Sequence, residues 1–223
     1  MALILNSEVR RTLISWSGGK DSCYATFLTL QQGLKPVALL NMMNENGQVS
    51  RSHGLPLDIL QQQANSMNVP LVAIPSSWND YEANYIDTLV KLKLQYRLQC
   101  AVFGDIDLQP HREWEEKVCA EAHLKAYLPL WNRNRKELLL EMIDAGIESI
   151  IVSCNAVMGE RFLGCSITKE ILGELELLGV DACGENGEYH TVVVNCPLFE
   201  KRIELPLFGT HRHNDYCFIN WNK

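Results

Sequence analysis

The sequence predicts an α/β protein, a parallel sheet with helices on both faces followed by a smaller C-terminal α/β subdomain. Three observations lead there. Short apolar runs alternate with segments whose apolar residues recur at helical spacing, the pattern of β-α-β units. A glycine-rich turn stands directly between the first such run and the first helical segment. The 223 residues suffice for a substantial core in one large unit, or in a unit plus a smaller one.

Strands are expected at residues 12–16, 37–42, 71–74 and 100–103. A first helix over residues 24–32 follows from Tyr24, Phe27, Leu28 and Gln31 sharing one face, with Gly33 as its stop. Pro56 opens a second, carrying Leu57, Leu60, Ala64 and Met67, and Tyr85, Ile86, Leu89 and Leu92 mark a third. A fourth covers residues 112–121, before a short apolar segment at 127–131. Asn134 with Glu137 resembles a capping box for a helix running to Ala145. A strand at 150–153, a helix near 169–178 and a strand at 191–195 complete the less regular last third. The change of pattern divides the chain into 1–131 and 132–223.

Bulk properties exclude several classes. No apolar run approaches the roughly 20 residues of a membrane-spanning helix, and residues 1–11 place Arg10 and Arg11 after the apolar stretch, the wrong order for a secretory signal. Eight cysteines without a C-x-x-C pair fit reduced thiols, and so a cytoplasmic location. A net charge of -7 argues against general affinity for nucleic acid. No internal repeat is present.

The chemistry is concentrated in Ser17-Gly18-Gly19-Lys20-Asp21-Ser22. Two glycines allow close backbone approach to an anion, the N–H groups of a helix start face it, and Lys20 and two hydroxyls add donors. This is not a Walker A loop, because Lys20 is followed by Asp21 rather than Ser or Thr. Gly104 and Asp105, after the strand at 100–103, are placed at the carboxyl ends of the sheet, where an α/β crevice binds nucleotide.

The loop is similar to the SGGKDS pyrophosphate loop of the N-type ATP pyrophosphatases. Three further segments narrow the resemblance to the diphthine ammonia ligase family: Ser52-His53-Gly54-Leu55-Pro56, then Phe103-Gly104-Asp105-Ile106, then Cys183-Gly184-Glu185-Asn186-Gly187-Glu188-Tyr189-His190-Thr191 with Asn195-Cys196-Pro197-Leu198-Phe199 behind it. It covers nearly the whole chain and suits a short, single-unit form. It implies a Rossmann-like fold of the adenine nucleotide alpha hydrolase type, ATP and Mg²⁺ as cofactors, and cleavage of ATP to AMP and pyrophosphate. A substrate carboxylate would be adenylated, then attacked by ammonia. The acceptor would be diphthine on elongation factor 2 where the host has it. No glutaminase segment is recognisable, so ammonia would be free or supplied by a partner; a homodimer is left open.

By the same resemblance, Ser17 to Ser22, the strand residues Leu40, Asn41 and Met42, and His53, Gly54, Gly104 and Asp105 would bind nucleotide. Lys20, Asp21, Glu185 and Glu188 would be catalytic, Asp21 beside the metal, and Glu185 to Thr191 would face the acceptor. Two positions depart from the family's E-G-G-E-[FY]-E-T: Asn186, expected at a left-handed turn position, and His190, which replaces a carboxylate. Glu185 or Glu188 either faces a cationic group of the acceptor or holds the metal. Arg112 is a weaker phosphate candidate, Cys183 is read as packing, and His211-Arg212-His213 as a flexible polar segment. A non-catalytic ATP or AMP sensor and a family member adenylating another small acceptor are the competing readings, ahead of a tRNA thiolation enzyme.

Overall fold

A computed structural model describes residues 10–206 and 209–221; of the N-terminal segment read above, residues 1–9 lie outside it. Five strands form one parallel sheet in the order β3-β2-β1-β4-β5: β1 (Arg11–Ser15), β2 (Lys35–Met43), β3 (Leu71–Pro75), β4 (Cys100–Val102) and β5 (Lys125–Tyr127). The order reverses at β1, since β2 and β3 lie to one side and β4 and β5 to the other. That switch point opens a crevice beyond the carboxyl ends of β1 and β4.

Successive β1 residues face opposite ways. Leu13 packs with Tyr85, Leu89 and Leu92 of α3 (Tyr81–Tyr96) and with Val118 and Cys119 of α4 (Gln109–Glu121). Ile14 belongs to the opposite core. There Cys23, Tyr24 and Ala25 of α1 (Lys20–Gln31) meet Ile59 and Leu60 of α2 (Leu57–Ser66) and Leu138 and Leu139 of α5 (Arg135–Asp144). Helices therefore cover both faces, as expected.

The C-terminal part is built on an antiparallel sheet, β7-β6-β9-β8, comprising β6 (Glu148–Asn155), β7 (Tyr189–Asn195), β8 (Thr210–His213) and β9 (Tyr216–Ile219), with α6 (Lys169–Leu177) beside it. Val192, Val193 and Val194 of β7 join the core of Ile14, so the two sheets share one apolar interior. Asn134 caps α5, its side chain accepting from the Glu137 N–H at 3.1 Å. One residue on, Arg135 clamps Asp107 with two hydrogen bonds of 2.8 and 2.6 Å and reaches Asp181 at 2.9 Å. A planar guanidinium serves that fork geometry well. It joins the segment after β4 to the turn before β7.

Three expectations are corrected. Helix α1 begins at Lys20, four residues before the apolar spacing placed it, because its first turn is polar and Gly19 acts as N-cap with extended backbone (φ -94°, ψ 177°). A fifth parallel strand at Lys125–Tyr127, too short to show a period, runs into the start of the apolar segment. His211, Arg212 and His213 form the exposed edge strand β8 paired to β9, rather than a flexible segment; the turn between them places Asn214 at φ 52°.

Candidate active site

The Ser17-to-Ser22 loop leaves β1 at the switch point and turns into α1, whose N-terminus carries no side-chain cap. Its start is free to meet an anion. The loop is held from the C-terminal part: the Val193 N–H donates to the Gly18 carbonyl at 2.9 Å, and the Lys20 N–H donates to Thr191 Oγ1 at 3.1 Å. His53 Nδ1 donates to the Thr191 carbonyl at 2.8 Å, which fixes its tautomer. The ring lies so close to the loop that a Cβ on Gly19 would stand 2.3 Å from His53 Cε1. Gly104 is equally constrained, since a Cβ there would stand 2.7 Å from the Ser22 nitrogen and 2.8 Å from the Asp21 carbonyl carbon.

Lys20 is 3 % exposed. Its Nζ donates to Asp21 Oδ2 at 2.9 Å and to the Cys183 carbonyl at 2.5 Å, and lies 5.1 Å from the Tyr189 ring centroid. Burial opposes the ammonium, yet Asp21 foremost, with Tyr189 and Cys183, holds its pKa above the ordinary value. The other oxygen of Asp21, Oδ1, is buried without a protein partner. That orphaned carboxylate oxygen is of the kind a magnesium ion takes, because Mg²⁺ commonly uses one or two carboxylates together with substrate phosphates. Among the described residues, no group of three His, Cys, Asp or Glu side chains is preassembled for a metal.

A cleft of about 660 Å³ spreads above the loop. Lys20, Asp21, Ser22, His53, Gly104, Asp105, Glu185, Gly187, Tyr189, His190 and Thr191 line it, so one surface collects residues from four separate sequence segments. A contiguous recess of about 120 Å³ is lined by Leu40, Asn41 and Met42 with Arg51 and Trp78. There Asn41 donates to the Trp16 carbonyl at 2.7 Å and leaves its own Oδ1 without a partner.

The acidic turn splits in two. Glu185 faces the cleft, and burial foremost, then the neighbouring Asp21, pushes its carboxyl up to about 7. Glu188 instead accepts from the Asn186 N–H at 3.1 Å and from its amide at 3.0 Å, and neither residue lines the cleft. Gly184 and Gly187 carry the positive φ angles of this turn, and Asn186 does not, contrary to expectation. His190 packs against His53 with centroids 4.7 Å apart and the rings tilted by 38°. Burial lowers both rings, His53 to about 4 and His190 to about 3, so they are neutral at pH 7. Burial pushes the Cys183 thiol up to about 12, in keeping with packing. Gly54 sits at φ 65° in the turn behind His53 and does not line the cleft. Arg112 pairs with Glu116 at 2.7 Å on the outer face of α4.

Sequence reasoning missed several residues. Gln63, fully buried on α2, bonds the loop from below. Trp78, Tyr81, Tyr85 and Trp114 form an aromatic wall on the cleft, with neighbouring centroids 5.0 to 6.2 Å apart. Glu115 lies beside it. The four-residue spacing of Tyr81 and Tyr85 was the available signal, but it reads equally as core.

Residues 10–126 match the family described as diphthamide synthase N-terminal domain, and residues 134–223 match diphthamide synthase C-terminal domain. The chain belongs to the diphthamide synthase family. Similar proteins include one from Danio rerio, 30% identical over 227 residues, covering 91% of this chain and 89% of that one. Another, from Rattus norvegicus, is 33% identical over 221 residues, covering 84% and 79%. Both are named diphthine–ammonia ligase. A solved chain from Methanocaldococcus jannaschii, titled a predicted subunit of tRNA methyltransferase, aligns at a TM-score of 0.45 with 14% identity over 84% of this chain and 98% of that one. Membership in the diphthamide synthase family makes this chain an enzyme of the ligase class. Among its described residues no helix is long and apolar enough to cross a membrane.

Proposed function

We propose that this chain is an ATP-dependent amidoligase that adenylates a substrate carboxylate and passes the acyl group to ammonia, the acceptor being diphthine on elongation factor 2 where the host carries it. The observation that supports this most is the anchored Gly18–Gly19–Lys20 turn opening into the same cleft as Asp21 and Glu185. In the first step a carboxylate oxygen bonds to the α phosphorus, and the bond from that phosphorus to the bridging oxygen breaks, releasing pyrophosphate. In the second, ammonia bonds to the acyl carbon, AMP leaves, and nitrogen gives up one proton.

Neither step needs a protein nucleophile, so the residues bind, orient and compensate charge. The α1 N-terminus, Ser17, Ser22 and Lys20 receive the β and γ phosphates. Asp21, through Oδ1, is the residue that would hold Mg²⁺, which when bound supplies further charge neutralisation on the leaving pyrophosphate. The recess of Leu40, Asn41 and Met42 receives the base, where Asn41 Oδ1 accepts from an amino group. His53, neutral and held by Thr191, closes the loop side. Glu185, Tyr189 and His190 face the acceptor, while Asn186 and Glu188 shape the turn that carries Glu185. The division at residue 131 then separates a nucleotide-binding part from one that completes the loop and holds the acceptor.

The test is single-turnover ATP cleavage with Mg²⁺ and ammonium, with and without diphthine-bearing elongation factor 2, resolving AMP from ADP and weighing the factor. AMP with conversion of the factor's carboxylate to an amide is expected. ADP, or ATP binding without cleavage under every acceptor, sinks the proposal.

A further inference from the structure

Arg135 is not used by the steps above, and helix propensity does not explain its place. It stands in the first turn of α5, where the helix dipole disfavours a cation. Its guanidinium is directed instead at the two walls of the cleft. Nε and Nη2 grip the two oxygens of Asp107 at 2.8 and 2.6 Å, while Nη1 donates to Asp181 Oδ2 at 2.9 Å and to Asn186 Oδ1 at 3.3 Å. Asp107 closely follows Asp105, which lines one wall, and Asp181 opens the turn that carries Glu185 on the other. Neither Arg135 nor these two partner aspartates, Asp107 and Asp181, lines the cleft itself.

The second oxygen of Asp181 carries the contact onward. Oδ1 accepts from the Cys183 N–H at 2.9 Å and from the Glu185 N–H at 3.2 Å. The carbonyl of the same Cys183 accepts from Lys20 Nζ at 2.5 Å, and its thiol donates to the Arg135 carbonyl at 3.1 Å. An aspartate that bonds backbone N–H groups just ahead of it fixes its turn locally. The guanidinium then fixes that turn against the segment after β4, by a planar fork that lysine lacks. An ammonium has three donors; Asp21 and Cys183 hold two of those on Lys20, which leaves one for a phosphate oxygen. Its aim therefore depends on where the Cys183 carbonyl stands. The backbone of the phosphate loop is anchored separately, by Gln63, Thr191 and Val193, none of which bonds Arg135 or Asp181 among the described residues.

We propose that Arg135 and Asp181 are positioning residues for the transfer, acting through the Cys183 and Glu185 peptide groups to set Lys20 and Glu185 against the reacting centre. This rests on the amidoligase reading and adds two residues outside the cleft to it. Because the loop keeps its own anchors, ATP binds without the pair, and what is lost is alignment. A misplacement near 1 Å at a reacting centre costs about 10²-fold in rate. The plainer role, a strut joining the two parts of the chain, gives a lower melting temperature and an unchanged rate per folded molecule.

The full chain is compared with Arg135→Ala, Asp181→Ala and the double variant at a temperature where circular dichroism shows each to be folded; Arg135→Gln, which keeps donors at the site, replaces the alanine variant should that not fold. With ammonium and diphthine-bearing elongation factor 2, the maximal rate of AMP formation should fall about tenfold or more in each single variant, while the KM for ATP stays within about threefold of wild type. The double variant should be no slower than the slower single one, because residues acting in one chain of contacts do not add. Guanidinium chloride at low concentration should restore Arg135→Ala and fail to restore the double variant, with potassium chloride as the control. Lys20 is also read directly, through the ¹⁵N resonance of its ammonium group assigned with Lys20→Met, which should shift in both single variants. Unchanged rates per folded molecule, additive losses in the double variant, or an unmoved Lys20 resonance overturn the proposal and leave the amidoligase reading standing. A Lys20 resonance that shifts in both variants, from a wild type that forms no AMP, sustains the positioning of Lys20 and rejects the amidoligase reading instead.

Discussion

Gln63 holds Gly18 from beneath the phosphate loop: its Nε2 donates to the Gly18 carbonyl at 3.0 Å and to the Val193 carbonyl at 2.8 Å, while its Oε1 accepts from Trp16 Nε1 at 2.9 Å. One buried amide thus ties α2, the loop and β7 together with every group used. Gln63→Leu keeps the bulk but removes the acceptor of the Trp16 N–H and a donor to the Val193 and Gly18 carbonyls, of which Gly18 keeps the Val193 N–H. A loss of about 2–4 kcal/mol in urea unfolding is expected, since each buried group left unpaired costs about 1–3 kcal/mol and the effects overlap. A raised KM for ATP should accompany it. An unchanged KM would show that the loop keeps its shape without this anchor.

At Gly104 the obstacle to a side chain is backbone, which cannot swing aside. Gly104→Ala must displace either the segment after β4 or the first turn of α1. A shift near 1 Å at a reacting centre costs about 10²-fold, and AMP formation should fall by that order. Gly173→Ala is the control: this residue lies inside α6 with nothing near its Cβ position. It should leave turnover intact and stabilise by about 0.5–1 kcal/mol through helix propensity.

Lys20→Met tests the charge at the loop. The methionine retains much of the packing but removes the donor to Asp21 and the Cys183 carbonyl. The single-turnover rate of AMP formation should drop about 10²–10³-fold, as for loss of one preorganised donor. Circular dichroism should still report a folded chain. Retention of more than a tenth of the rate would remove Lys20 from the phosphate site.

The parallel sheet was legible because β1, β2 and β3 are apolar runs separated by helices with clear faces, and the loop because its glycines, lysine and serines sit between a strand and a helix. What escaped has physical reasons. Lys125–Tyr127 carries too few residues to display a period, and Thr210–His213 is exposed along its whole length, so no apolar alternation marks it. Gln63 lies on a helix whose spacing explains only its apolar neighbours, and nothing local reveals that its amide meets Val193, 130 residues away. Within Glu185-Asn186-Gly187-Glu188 the two acids look alike in sequence. Only the fold turns Glu185 to the cleft and Glu188 back onto the turn.

Glu185 should carry a pH dependence. Its carboxyl, pushed up to about 7 by burial and by Asp21, is half ionised near neutrality. If the carboxylate is the working form, turnover rises through about pH 7 and levels above it. Glu185→Gln should be slow and lack that limb. A limb of unchanged position in the variant would assign it to another group.

Glu115→Gln gives a stability change whose sign follows from the same reasoning. An unfolded chain releases this proton near the ordinary value of 4.5, whereas the folded protein keeps it until about 11, because burial and then Asp105 oppose the charge. The folded state therefore binds more protons between those values, and wild-type stability falls as pH climbs above 4.5. Glutamine has no such proton, so the variant should be more stable by about 1–3 kcal/mol at pH 7.5. The gap should close near pH 4, where both states of the wild type are protonated. Urea unfolding at the two pH values measures it; an equal gap at both would mean that Glu115 ionises normally in the folded chain.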